Sequence, residues 1–126
     1  MRIHILATIV AASLAAAGGT AWADGDAAKG QKVFAKCKTC HEIASDKNKV
    51  GPTLQGVLGR KAGAVAGFKY SEAMAASGVV WDEATIAEYV AKPKEFIPGN
   101  KMAFAGLKKE DEIENLLAYI KEACCS

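Results

Sequence analysis

The sequence predicts an all-α domain of about four to five helices, with long loops wrapped around something other than polypeptide. Three observations carry this. Several segments repeat apolar residues at helical intervals behind good capping residues, and no segment shows the strict alternation of a half-buried strand. Between the first and second helical segments, "EIASDKNKVGPTLQGVLGRKAGAVAG" is Gly-rich and aperiodic, and a loop that long in a small domain needs a surface to pack on.

Residues 1–23 read as a cleaved secretory signal. Arg2 is the basic region, Ile5 to Ala17 the apolar run, and Ala21-Trp22-Ala23 an A-x-A cleavage site. The run is too short to favour a membrane span, so no stable membrane insertion is expected; an uncleaved anchor is the alternative. The domain is then residues 24–126, or 103 residues once those 23 leave the chain of 126, exported to the periplasm. Loss of Arg2 leaves 15 basic residues against 14 acidic ones. That near-neutral balance gives no basis for a nucleic-acid partner.

The first helix runs from Asp26, its N-cap, to about Cys37, with Ala27, Gly30, Val33 and Phe34 at helical intervals. The loop follows, with a Gly51-Pro52 turn inside it. "YSEAMAASG" is a short helix capped by Ser71 and stopped by Gly78. Asp82 caps the next, which sets Ile86, Tyr89 and Val90 on one face and ends before Pro93, because proline disfavours a helical residue ahead of it. The last helix spans about Lys109 to Glu122. Its Ile113, Leu116, Leu117 and Ile120 stand at i, i+3, i+4 and i+7, and acids in its first turn complement the helix dipole.

The first helix delivers "KCKTCHE", residues 36–42. A bare Cys-x-x-Cys pair can bind zinc or exchange a disulfide. His41, directly after the second cysteine, points instead to a covalently attached haem, with Cys37 and Cys40 adding to the vinyl groups and the imidazole placed under the iron. Zinc would want a second ligand pair, whereas the other cysteines, Cys124 and Cys125, are adjacent at the C-terminus. A redox dithiol would sit at the mouth of a βαβ unit. Both alternatives stay open on the motif alone.

With His4 lost in the signal, His41 is the sole histidine left, and the strong-field candidates for a second axial ligand are Met74 and Met102. Met74 falls within a short helix, where methionine is most often a flexible filler. Met102 follows Pro98 and Gly99 in "FIPGNKMAFAG", a segment able to bend over a flat cofactor.

These stretches together resemble the class I c-type cytochromes, the group of mitochondrial cytochrome c and bacterial cytochrome c2. The resemblance covers essentially Gly25 to Ala123 and rests on "GQKVFAKCKTCH", "VGPTLQGVLGRKAGAVAGFKYSEA", Trp81, "YVAKPKEFIPGNKMAFAG" and "LLAYIKEA". It implies a small cytochrome c fold and one covalently bound haem c, with Cys37 and Cys40 as thioethers and His41 and Met102 as axial ligands. By the same resemblance, the Pro52 carbonyl accepts a hydrogen bond from His41, Arg60, Tyr70 and Trp81 surround a buried propionate, and Tyr89 lies near the methionine sulfur. Gly30 and Phe34 cross Leu116 and Tyr119. Simple core packing is the plainer role for Phe34, Phe68 and Phe104. Met74 stands where the family commonly has asparagine, and Asn100 where threonine is common, although Asn100 can still donate a hydrogen bond.

An iron with both axial sites filled has no vacancy for substrate. The expectation is therefore a one-electron carrier and not an enzyme, mostly monomeric, moving electrons from a quinol-oxidising cytochrome complex to a terminal oxidase or a photosynthetic reaction centre. A haem peroxidase is the competing reading, but no distal histidine is present to act as a base. A tethered subunit of one complex is a third. Lys36, Lys38, Lys94, Lys101 and Lys108 are expected to ring the haem edge and meet acidic partners. The terminal cysteines are expected to lie on an exposed, frayed end, where disulfide pairing between molecules is easier than a bond between neighbours, with an inert tail of two free or capped thiols as the alternative.

Overall fold

The structure is a computed structural model that describes residues 25–125. The predicted signal, residues 1–23, lies outside the described residues. Five helices follow in chain order: α1 (Ala27–Lys38), α2 (Glu72–Ala76), α3 (Glu83–Ala91), α4 (Pro93–Phe96) and α5 (Glu110–Cys124). Among the described residues extended pairing is limited to one isolated antiparallel bridge, Lys61 with Val80. The all-α expectation holds.

Each predicted cap is in place. Asp26 accepts from the Lys29 N–H at 3.0 Å, Ser71 from the Met74 N–H at 3.1 Å, and Asp82 from the Thr85 N–H at 2.8 Å. At the third site the Thr85 hydroxyl pairs with the Asp82 N–H at 2.9 Å, which completes a reciprocal capping box. Two boundaries differ from the sequence reading. α5 continues past Glu122 to Cys124, and the proline that ends α3 also starts α4. Pro93 occupies the first helical position, where the N–H it lacks would have had no partner.

The most extensive helix pairing is α1 against α5, and Gly30 sets its closeness. A Cβ on Gly30 would lie 1.8 Å from the Asn115 carbonyl oxygen and 2.8 Å from Tyr119 Cβ, so the crossing admits only a hydrogen there. Phe34, one turn on, meets the Tyr119 ring at 5.2 Å between centroids. Ile113, Leu116, Leu117 and Ile120 are all buried, so the i, i+3, i+4, i+7 stripe is the face that α5 presents to the core. Burying each such side chain contributes about 1.5–3 kcal/mol before entropy is counted. The exposed side of α5 reaches α3 through Lys121 and Glu83, 2.8 Å apart.

Between α1 and α2 the chain forms no helix for more than thirty residues. Polar side chains organise it. Asn48 accepts from the Thr53 N–H at 3.0 Å and donates to the Ala66 carbonyl at 3.2 Å, while the buried Thr53 hydroxyl donates to the Ser45 carbonyl. This loop, α3 and the segment after α4 enclose one side of the space in front of α1 and α5.

Candidate functional site

One apolar cavity gathers the residues singled out in the sequence. Cys37, Cys40, His41, Pro52, Arg60, Tyr70, Trp81, Tyr89, Asn100 and Met102 all line it, with Met74. The end of α1 places the first three. Both the Cys40 and His41 N–H groups donate to the Cys37 carbonyl, at 3.0 and 2.9 Å, which winds the last turn tightly.

His41 is held on two sides. Its Nδ1 lies 2.7 Å from the Pro52 carbonyl oxygen. Because a carbonyl only accepts, Nδ1 carries the hydrogen and Nε2 keeps its lone pair. A Cβ on Gly51 would come within 2.3 Å of the imidazole Cε1 and 2.7 Å of both ring nitrogens, so the ring lies flat against bare backbone. Burial lowers the His41 pKa, against the opposing effect of the Pro52 hydrogen bond, and the nearby Arg60 and Lys49 charges lower it further. The imidazole is therefore kept as a neutral donor, the form a metal requires.

Arg60 reaches in from the loop. Its two terminal nitrogens donate to the Gln55 carbonyl at 3.1 Å and the Thr53 carbonyl at 2.9 Å, while Nε is buried without a partner. Tyr70 receives the Val65 N–H on its hydroxyl oxygen at 3.1 Å. Trp81 and Tyr89 pack at 5.1 Å, and the Tyr89 hydroxyl donates to Asn100 Oδ1 at 3.4 Å.

A flat, mostly apolar group with an anionic edge and a metal centre fits this lining. Carbon and sulfur side chains dominate the walls, the orphaned Arg60 Nε offers a donor to an acid group, and His41 and Met102 offer one nitrogen and one sulfur. The alternatives fit less well. Burial pushes the Cys37 thiol up to about 11, away from the thiolate that disulfide exchange or zinc binding uses. Among the described residues no three His, Cys, Asp or Glu side chains are grouped to hold a metal ion.

The structure gives Asn100 and the five lysines defined surroundings, and the C-terminal cysteines differ from the sequence reading. Asn100 lines the cavity, but its side-chain nitrogen is engaged by the Pro93 and Ile97 carbonyls, at 2.8 Å each. Of the five lysines, Lys36 and Lys101 line the cavity, whereas Lys38, Lys94 and Lys108 are exposed without lining it. Lys101 sits over the Phe68 ring at 5.1 Å and donates to the Lys69 carbonyl. Among the described residues α5 stays helical to Cys124. Cys124 is buried, its carbonyl accepts the Gly56 N–H at 2.8 Å, and it is joined to Cys125 by a disulfide. The two cysteines are bonded to each other where the sequence reading expected pairing between molecules, and the longer α5 carries Cys124 into the core. Sequence reasoning also passed over Thr53 and saw Gly51 only as part of a turn; neither residue type carries a signal without its spatial neighbour.

A sequence model of the family described as cytochrome c matches residues 27–123. Cytochrome c-550 of Nitrobacter winogradskyi is 54% identical over 99 residues, covering 78% of this chain and 91% of that protein. Cytochrome c2 of Blastochloris viridis is 48% identical over 115 residues, 90% of this chain and 87% of that one. Cytochrome c type-1 of Ascaris suum is 53% identical over 102 residues, 80% and 91%. Among solved structures, cytochrome cH from Methylobacterium extorquens superposes with a TM-score of 0.74 at 45% identity, covering 78% of this chain and 99% of that one.

Proposed function

The chain belongs to the class I cytochrome c family, electron-transfer proteins that carry one covalently attached haem c and are not enzymes, and from that premise we propose how its residues serve the carrier. With the haem bound, Cys37 and Cys40 would hold it through thioethers, His41 Nε2 and the Met102 sulfur would ligate the iron, and Arg60 Nε would donate to an acid group at its edge. The single observation that carries this is the convergence of the His41 imidazole, two thiols and the Met102 thioether, with Met74 beside them, on one apolar cavity that Arg60, its Nε buried without a partner, also lines. When bound, the haem supplies a one-electron couple between ferrous and ferric iron.

The protein's part is to hold and to shield. The Pro52 carbonyl orients the His41 ring and raises its basicity. Gly51 lets backbone cover one imidazole face without displacing it. Trp81, Tyr89, Ile86 and Leu116 form an apolar wall that disfavours extra positive charge and so supports a high potential. Tyr70 and Arg60 keep the polar edge in place.

The carrier works in the periplasm as the domain 24–126 freed from the leader 1–23. It takes electrons from a quinol-oxidising cytochrome complex and gives them to a terminal oxidase or reaction centre. Among the described residues no helix is long and apolar enough to cross a membrane. Ferric and ferrous spectra of purified protein test the ligand set. A thioether–iron charge-transfer band should be present in wild type and absent in Met102→Ala, which should also have a lower potential, and it should persist in Met74→Ala. The opposite pattern would transfer the ligand role to Met74, and a vacant sixth site in wild type would favour the peroxidase reading.

A further inference from the structure

The segment that bears Met102 is held by one side-chain amide. Ile97 to Asn100 form a turn closed by the Asn100 N–H on the Ile97 carbonyl at 3.1 Å, with Pro98 second and Gly99 third at φ +87°, as a type II turn demands. Asn100 Nδ2 donates to the carbonyls of Pro93 and Ile97, both at 2.8 Å. Oδ1 accepts from the Met102 N–H at 2.9 Å and from the Tyr89 hydroxyl at 3.4 Å. Acceptors face one end of the amide and donors the other, so its orientation is unambiguous.

The amide thus ties α3, α4 and the Met102 segment at a single point. Residues 101–109 belong to no helix or strand, so the Met102 N–H has no helical or sheet ladder to join and is satisfied by Asn100. A neutral thioether is a weak ligand, and its hold depends on how little the segment must be ordered to present it. We propose that Asn100 is a positioning residue for Met102, locking its backbone through the Oδ1 contact while the Nδ2 contacts anchor the lock to α4. This rests on the reading of Met102 as an axial ligand. Asn100 acts through Met102 and gives neither of its side-chain hydrogens to the cofactor.

The test uses the haem-loaded protein with two readouts: the pH at which the ferric thioether–iron band is lost, and hydrogen exchange at the Met102 amide in the ferrous state. Asn100→Ala removes all four contacts. Asn100→Asp keeps the acceptor for Met102 but sets a second acceptor against the two carbonyls. Both should lose the band about one pH unit earlier and exchange the Met102 amide about tenfold faster, the scale of one buried hydrogen bond left unmade, with Asn100→Ser between them and wild type. Asn48→Ala, which loses comparable contacts to Thr53 and Ala66 in the other loop, should lower thermal stability yet move neither readout.

Wild-type values of both readouts in Asn100→Ala and Asn100→Asp would overturn the proposal. So would equal shifts in Asn48→Ala, which would mean general loosening. Met102→Ala separates the two readings. If it keeps the band, the ligand assignment is wrong and amide exchange alone judges the lock. If it loses the band while the Asn100 variants leave both readouts unchanged, only the positioning role fails.

Discussion

Gly30 of α1 passes so close to Asn115 of α5 that a methyl group there would stand 1.8 Å from the Asn115 carbonyl oxygen. The obstacle is backbone, which cannot swing aside. Gly30→Ala should therefore force the two helices apart and destabilise the fold by about 1–3 kcal/mol or more, measured by denaturant titration. Gly56→Ala is the contrast. It has open space but a φ of +69°, so its cost should be limited to backbone strain of about 1–2 kcal/mol.

Met74 brings an apolar side chain to the cavity wall. Exchanging it for an amide makes the surroundings of the iron more polar and eases the ferric charge. Potentiometric titration of Met74→Asn should give a lower potential than wild type with the charge-transfer band retained. An unchanged potential would show that Met74 does not shape the field at the iron.

Asp82 provides a pH-dependent contribution. The Thr85 backbone N–H, with the Thr85 hydroxyl and the Ala84 N–H, holds its carboxyl below the usual carboxylate range. A folded value lower than the unfolded one means that the stabilisation is fully present above the ordinary Asp range and is lost as pH falls through the lowered folded value. The stability difference between wild type and Asp82→Ala should shrink on acidification across that window. Asp82→Asn should keep the cap while removing this dependence, as denaturation midpoints across pH will reveal.

Lys36 and Lys101 stand at the cavity rim. If that rim meets acidic partners, Lys36→Glu with Lys101→Glu should slow association by about tenfold or more at low salt. Rates for wild type should fall as salt rises, because screening acts over about 10 Å at 0.1 M. Stopped-flow rates that ignore both salt and the charge reversal would remove the rim as the docking face.

The Cys124–Cys125 bond makes a chemical prediction. Oxidised protein should run as a monomer on a non-reducing gel, and its intact mass should rise by two hydrogens on reduction. Since Cys124 is buried beside the core, Cys124→Ser should also cost more thermal stability than Cys125→Ser, whose side chain is exposed.

Much of the architecture was legible because its signals are local. Asp26, Ser71 and Asp82 cap helices through N–H groups three residues away, and the apolar stripe of α5 reads directly as a buried face. α4 was not legible, since Pro93 signals the end of one helix as strongly as the start of the next. The burial of Cys124 depends on Gly56, sixty-eight positions earlier, and no nearby residue announces it.

By itself the sequence determined the helical class and the Cys37-x-x-Cys40 attachment motif, because spacing and capping residues act over a few bonds, and its turn residues are what favour Met102 over Met74 in the proposed ligand set. Tertiary structure alone decided which groups remain available inside the cavity. Asn100 has hydrogens to donate in any reading of the chain, but only folding brings the Pro93 and Ile97 carbonyls to them. Arg60 looks fully solvable in the sequence, but only the packed loop buries its Nε while satisfying its other nitrogens. Hydrogen-bond availability depends on the partners that distant segments supply, and composition holds no record of them.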